Sequence, residues 1–215
     1  MESTGIYWCP IYEALEGACD GKIEILVTNA RHMRNVPGKK TDIKDAEWIA
    51  MLLRAGLLRG SFIPPAEFRE LRQLTRYRKN VVQDICTQKN RIEKALQQAG
   101  FKLSTFLSDV FGVSGRNLLA VLVRQGCLTS LDVEKETRRI SPAKKEEIKL
   151  SINGRMSIHQ GQFLRLQLAL LDELQSHLDV IENSISELSS KFKDEIELLD
   201  TIPVYSDHIS YGHYC

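Results

Sequence analysis

No run of apolar residues in this chain approaches the roughly twenty that a membrane-spanning helix needs, and no stretch reads as a signal peptide. A cytoplasmic protein with no membrane partner is the expectation. Cysteine is scarce and scattered. Cys9, Cys19, Cys86, Cys127 and Cys215 are an odd set without a C-x-x-C pair, which argues against a disulfide framework and a zinc site and for idle thiols in a reducing compartment. His32, His159, His177, His208 and His213 make no metal-ligand spacing with them. Glycine and proline are absent from Ala66 to Ala99, so nothing there interrupts a helix. Net charge is nearly absent too, at +1, and spread evenly it would speak against a nucleic-acid binder.

The charge is not spread evenly. Arg31 to Arg59 holds seven basic residues against three acidic, and Ala66 to Gly100 holds eight against four. From Asp172 to Asp200 the sign reverses, with nine acidic residues against two basic. The first half can face phosphates and the last helix cannot. With 43% hydrophobic residues among 215, the chain is long enough for one or two domains with a real core.

Periodicity supplies the elements. Gly5 to Leu15 reads as a helix despite Pro10, and Lys22 to Val27 as a strand. A basic loop from Arg31 to Lys40 leads into a helix reaching about Ala55, with Trp48, Ile49, Leu52 and Leu53 as its apolar face. Gly56 and Pro64-Pro65 close that unit. Leu71, Leu74, Arg78, Val81, Ile85, Gln88, Ile92 and Ala95 form a heptad-like series on a long helix. A second series, Leu164, Gln167, Leu171, Leu174, Leu178, Ile181, Ile185, Leu188, Phe192, Glu195 and Leu199, alternates three and four residues, the seam of a coiled coil. Between them, shorter helices are expected around Thr105–Val110, Arg116–Arg124, Ser130–Thr137 and Pro142–Ile152, punctuated by glycine.

Two patterns carry chemistry. Thr41 can cap a helix that holds Asp42 and Asp45; residues three apart share a helix face, so both carboxylates point the same way. A third carboxylate at Glu2 would complete an oxygen cradle for a hard divalent cation such as Mg2+. The same spacing is also an ordinary helix start, where acids answer the helix dipole. Arg69, Arg72, Arg76 and Lys79 recur at three, four and three residues and form one cationic line suited to phosphates, or else a solvated helix face.

Read as text, Met1-Glu2-Ser3-Thr4-Gly5-Ile6-Tyr7-Trp8, Asn29-Ala30-Arg31-His32, Val36 to Ala50, Gly60-Ser61-Phe62-Ile63-Pro64-Pro65, Arg69-Glu70-Leu71-Arg72, Arg76-Tyr77-Arg78 and Gly112-Val113-Ser114-Gly115-Arg116 resemble the insertion-sequence transposases of the Piv-like DEDD class. That class joins a RuvC-like, RNase H-fold domain to a coiled coil and a domain bearing a nucleophilic serine. Its members are similar to recombinases guided by a structured bridge RNA. The resemblance covers most of residues 1 to 203, in several separated blocks. It places the second, third and fourth acids of the D-E-D-D set on Glu2, Asp42 and Asp45, as catalytic and Mg2+-binding residues. The first aspartate has no counterpart, and from Val204 the text departs from the family's continuation, so the expectation is a chain truncated at both ends. Neither Ser206 nor Ser210 is given a catalytic role.

The expected fold is mainly α: a partial RuvC-like α/β remnant with one or two short strands over residues 1–65, poorly closed and with an unpaired strand edge. A helical coiled-coil arm over 66–200, with a small insert at about 101–155, and a divergent tail over 201–215 follow it. The expected function is a role in DNA transposition and site-specific recombination, with nucleic-acid binding kept and catalysis lost. Mg2+ would be held weakly or not at all. Candidate nucleic-acid contacts are Lys39, Lys40, Arg69, Arg72, Arg76, Lys79 and Arg116. Expected partners are DNA, a structured guide RNA and further copies of the chain, joined as a homo-oligomer through the coiled coil. The alternative is a chemically inert coiled-coil interaction protein that pairs with intact transposase subunits.

Overall fold

Where Lys22 to Val27 predicts a strand, the computed structural model forms no ladder among the described residues, which exclude Lys22; one isolated parallel bridge joins Glu2 to Thr28. The structure describes residues 1–3, 5–19, 23–29, 42–138 and 140–202, and for residues 42–45 and 200 the backbone alone. The chain divides into two compact units, Met1–Ala66 and Glu67–Cys215.

In the first unit the bridge is held from both sides. The Ser3 N–H donates to the Thr28 carbonyl at 2.8 Å, the Thr28 N–H to the Met1 carbonyl at 2.9 Å, and the Met1 ammonium to the Leu26 carbonyl at 2.7 Å. On the opposite edge Ser61 donates to the Val27 carbonyl at 2.7 Å. A ladder needs partners of matching length, and these neighbours are each a few residues long, so pairing stops after one bridge. Val27 and Thr28 are buried all the same. Among the described residues two helices belong to this unit, α1 (Trp8–Cys19) and α2 (Asp42–Arg54). Helix α1 starts and ends later than its sequence suggests, with Pro10 in its first turn, where a missing N–H costs no helical bond. On α2, Leu52 is buried but Leu53, expected on the apolar face, is exposed. An apolar cleft of about 300 Å³ is lined by Leu15 of α1, Ile49 and Leu53 of α2, and Met1, Ile23, Ile25 and Leu26. Phe62, Ile6, Tyr7 and Leu57 are exposed, so this unit buries little of its apolar surface.

The second unit is built on two long helices, α3 (Ala66–Gln98) and α8 (Ile158–Ser189). Between them run α4 (Leu103–Phe106), α5 (Val113–Gln125), α6 (Ser130–Glu136) and α7 (Pro142–Leu150). After a 3-10 turn at Ser190–Phe192 the chain continues as α9 (Lys193–Asp200). Helices α2 and α3 end alike, with Gly56 and Gly100 at φ 68 and 85. In each, the residue after the glycine donates back five positions, Leu57 to Leu52 and Phe101 to Leu96, which satisfies carbonyls the helix end leaves open. At the other end of the insert, Ser157 and Gln160 form a capping box that starts α8.

Helices α3 and α8 run antiparallel. Lys191 pairs with Glu67 at 2.7 Å, the rings of Phe192 and Phe68 lie 4.5 Å apart, Arg78 pairs with Glu182 at 2.7 Å, and the Gln88 side-chain amide donates to the Gln167 carbonyl at 3.0 Å. Glu67 raises the Lys191 ammonium above its ordinary pKa. The core of the unit includes Val81, Ile85, Ile92 and Leu96 of α3 with Leu164, Leu171 and Ile181 of α8, joined by Phe101, Leu103, Leu118, Leu119, Leu122 and Ile148 from the elements between. The expected seam is thus internal to one chain over much of its length. It does not run unbroken to Leu199: the helix breaks at Ser190–Phe192, and Glu195 and Leu199 beyond are exposed. Cys9, Cys19 and Cys127 are free thiols.

Candidate nucleic-acid interface

The acidic trio falls in the first unit. Glu2 is half-buried on the bridge to Thr28. Asp42 opens α2 and Asp45 follows within its first turns, so helical spacing puts their positions on one face. Their side chains, and Thr41, lie outside the described residues, and so does the distance from Glu2 to either aspartate. Among the described residues no group of three or more His, Cys, Asp or Glu is placed to hold a metal. As a donor set, three carboxylates are hard oxygen ligands of the kind Mg2+ takes.

The basic residues divide into held and outward-facing. Lys39 and Lys40 lie outside the described residues. On α3, Arg69 is half-buried while Arg72, Arg76 and Lys79 are exposed. They stand away from the buried series Val81, Ile85, Gln88, Ile92 and Leu96 of the same helix, because the two sets are about half a turn out of phase. Arg78, on the seam, is instead tied to Glu182 by its Nε and Nη2 at 2.9 and 2.7 Å. Arg116 is also held. The Gly112–Arg116 segment, where glycine punctuates the expected helices, is the first turn of α5 with Gly112 as its N-cap, Gly115 is buried inside the helix, and the Arg116 guanidinium pairs with Asp172 of α8 at 2.7 Å.

Sequence reasoning stopped the cationic line at Lys79. In the structure the same outer face continues: Arg72, Arg76, Lys79, Gln83, Thr87, Asn90 and Lys94 recur at intervals of three or four residues and are all exposed, with Arg91 exposed beside them. The periodicity could have found Arg91 and Lys94, but the uncharged residues between interrupt the charge run. Asp84 is exposed at the rim of this face, and Glu93 is half-buried on the far flank in a cleft of about 400 Å³ that also takes in Lys89, Ser104, Ser108 and Asp109.

A helix-borne face rich in arginine, lysine and amides and free of acids along its centre is suited to polyanions. Residues 1–101 match the DEDD_Tnp_IS110 family, described as a transposase. Over those residues the chain is similar to the IS110 type of DEDD transposases. The match takes in the acidic trio and the whole of α3, and ends beside the Gly100 turn. No curated protein and no solved structure matches the chain significantly. No helix among the described residues is long and apolar enough to cross a membrane.

Proposed function

We propose that this chain serves DNA transposition as a nucleic-acid-binding subunit, with its first unit contributing carboxylates and α3 contributing phosphate contacts. The observation that carries the reading is the coincidence of the transposase match with the exposed basic face of α3. Glu2, Asp42 and Asp45 would hold Mg2+, which when bound polarises phosphate oxygens. Arg69, Arg72, Arg76 and Lys79 contact phosphates, with Lys39 and Lys40 beside the carboxylates in sequence. Arg116 contributes less, because its charge is already answered by Asp172. The reading assigns binding to these residues, and no strand-exchange step. A structured guide RNA is a second polyanion that the same cations would meet, and a coiled coil of α3 and α8 would join copies into a dimer.

The second reading, an inert interaction protein that pairs with transposase subunits, draws support from Phe163, Leu166 and Leu170, which are exposed at helical spacing on α8. One experiment separates the two. Replacing Arg69, Arg72, Arg76 and Lys79 together with Gln should weaken retention on DNA alike across sequences, and flatten the slope of log affinity against log salt by about 0.9 per lost duplex phosphate contact. An unchanged slope, with a light-scattering mass that doubles in the presence of a full-length relative, would favour the interaction protein.

A further inference from the structure

The outer face of α3 is patterned, and not merely basic. Arg76 and Lys79 lie at one end of its middle section, and Arg91 and Lys94 at the other. Gln83, Thr87 and Asn90, all exposed and uncharged, lie between. Lys79 and Arg91 are twelve residues apart, about 18 Å along a helix rising about 1.5 Å per residue. With flexible side chains at each end, that separation brackets the two backbones flanking a B-form major groove about 12 Å wide. The middle residues carry the groups that read base edges there. Glutamine and asparagine can bond adenine bidentately. The Thr87 hydroxyl already donates to the Gln83 carbonyl at 2.8 Å, so it offers a groove its methyl group and its lone pairs.

We propose that α3 crosses the major groove of duplex DNA, with Arg76 and Lys79 on one phosphate backbone, Arg91 and Lys94 on the other, and Gln83, Thr87 and Asn90 over the base pairs. This rests on the phosphate-binding reading above and adds to it a second backbone and a sequence preference. Duplex DNA is the occupant because the major groove of A-form RNA is too deep and narrow for side chains to read. Charge fixes the side of approach. Helix α8, packed on the opposite face of α3, carries five acidic residues against one basic, and it repels phosphate.

The test uses the full chain and fluorescence anisotropy on a DNA duplex and an RNA duplex of matched sequence, across a salt series. R91Q/K94Q should flatten the DNA salt slope by about 1.8, two contacts at about 0.9 each, with circular dichroism unchanged. Gln83→Ala should leave that slope alone and shrink the preference among randomised duplexes by about tenfold at one base pair. Loss from the Arg69/Arg72/Arg76/Lys79 set but none from R91Q/K94Q overturns the groove crossing and leaves phosphate binding standing. No loss from either set, or no retention at low salt, overturns both. RNA bound as tightly as DNA, with the same response to R91Q/K94Q, would assign the face to RNA. A changed oligomeric mass with unchanged DNA retention would assign it to a second copy. Either result ends the proposal.

Discussion

Two glycines in the helical unit should answer the same substitution with opposite signs. A Cβ on Gly154 would stand 2.8 Å from the Gly100 carbonyl carbon and 2.9 Å from Cδ2 of Phe101, and closer still to the Ala99 carbonyl oxygen. None of these can yield cheaply. Arg155 donates to that same Ala99 carbonyl at 3.2 Å, Met156 donates to Gly126 at 2.7 Å, and Phe101 is fully buried. This junction sets the C-terminus of α3 against the approach to α8, and so sets how the two long helices pair. Overpacking of this kind costs about 1 to 3 kcal/mol. For a unit of this size each kcal/mol moves the melting temperature by about 2 to 4 °C, so Gly154→Ala should melt about 2 to 12 °C below the parent. At Gly161, in the first turns of α8, an added Cβ meets the Val123 carbonyl oxygen at 3.5 Å, an ordinary contact. Gly161→Ala removes a helical glycine, which is worth about 0.5 to 1 kcal/mol, and should raise the melting temperature by about 1 to 4 °C. The assay is thermal unfolding of both variants followed at 222 nm. A Gly154→Ala protein melting at or above the parent would refute the close approach, and the antiparallel pairing that depends on it.

Thr129 and Asp132 form a capping box at the start of α6, and hydrogen bonds from the Thr129 side chain and backbone hold the Asp132 carboxyl below its ordinary pKa. A lowered folded-state pKa means stability that is present above the ordinary carboxylate range and lost as pH falls through and below it. Thr129→Ala should therefore cost about 1 kcal/mol at neutral pH and progressively less in acid, and a cost independent of pH in denaturant titrations would count against the box. Replacing Leu178 and Ile185 with Asp puts carboxylates against the core shared by α3 and α8. Helicity should drop and aggregation rise, whereas unchanged ellipticity and mass would show that the seam is not needed.

Much of this protein was legible in its residues taken in order. The stretch from Ala66 to Ala99 without glycine or proline, and the three-and-four spacing of Val81, Ile85, Gln88 and Ile92, fixed α3 and its buried face, because helical periodicity is a local property. The transposase resemblance was legible too, and the match over residues 1–101 bears it out. What failed in the sequence reading were features that depend on what lies opposite. Lys22 to Val27 has strand composition, but a ladder needs a neighbour of equal length, and the neighbours here supply a single bridge. Gly112 to Arg116 reads as a turn, yet Gly115 is buried inside α5, where its missing side chain lets the Val110 backbone approach. Arg116 reads as an open cation, and only the packing of α5 on α8 brings Asp172 to it. Spacing already set Arg78 on the seam, apart from the cationic line, but not what it would meet there. Tertiary structure decides that Arg78 faces Glu182 across the hairpin while Arg72, Arg76 and Lys79 face outward, since burial and ion pairing belong to pairs of elements and charge spacing to one element alone.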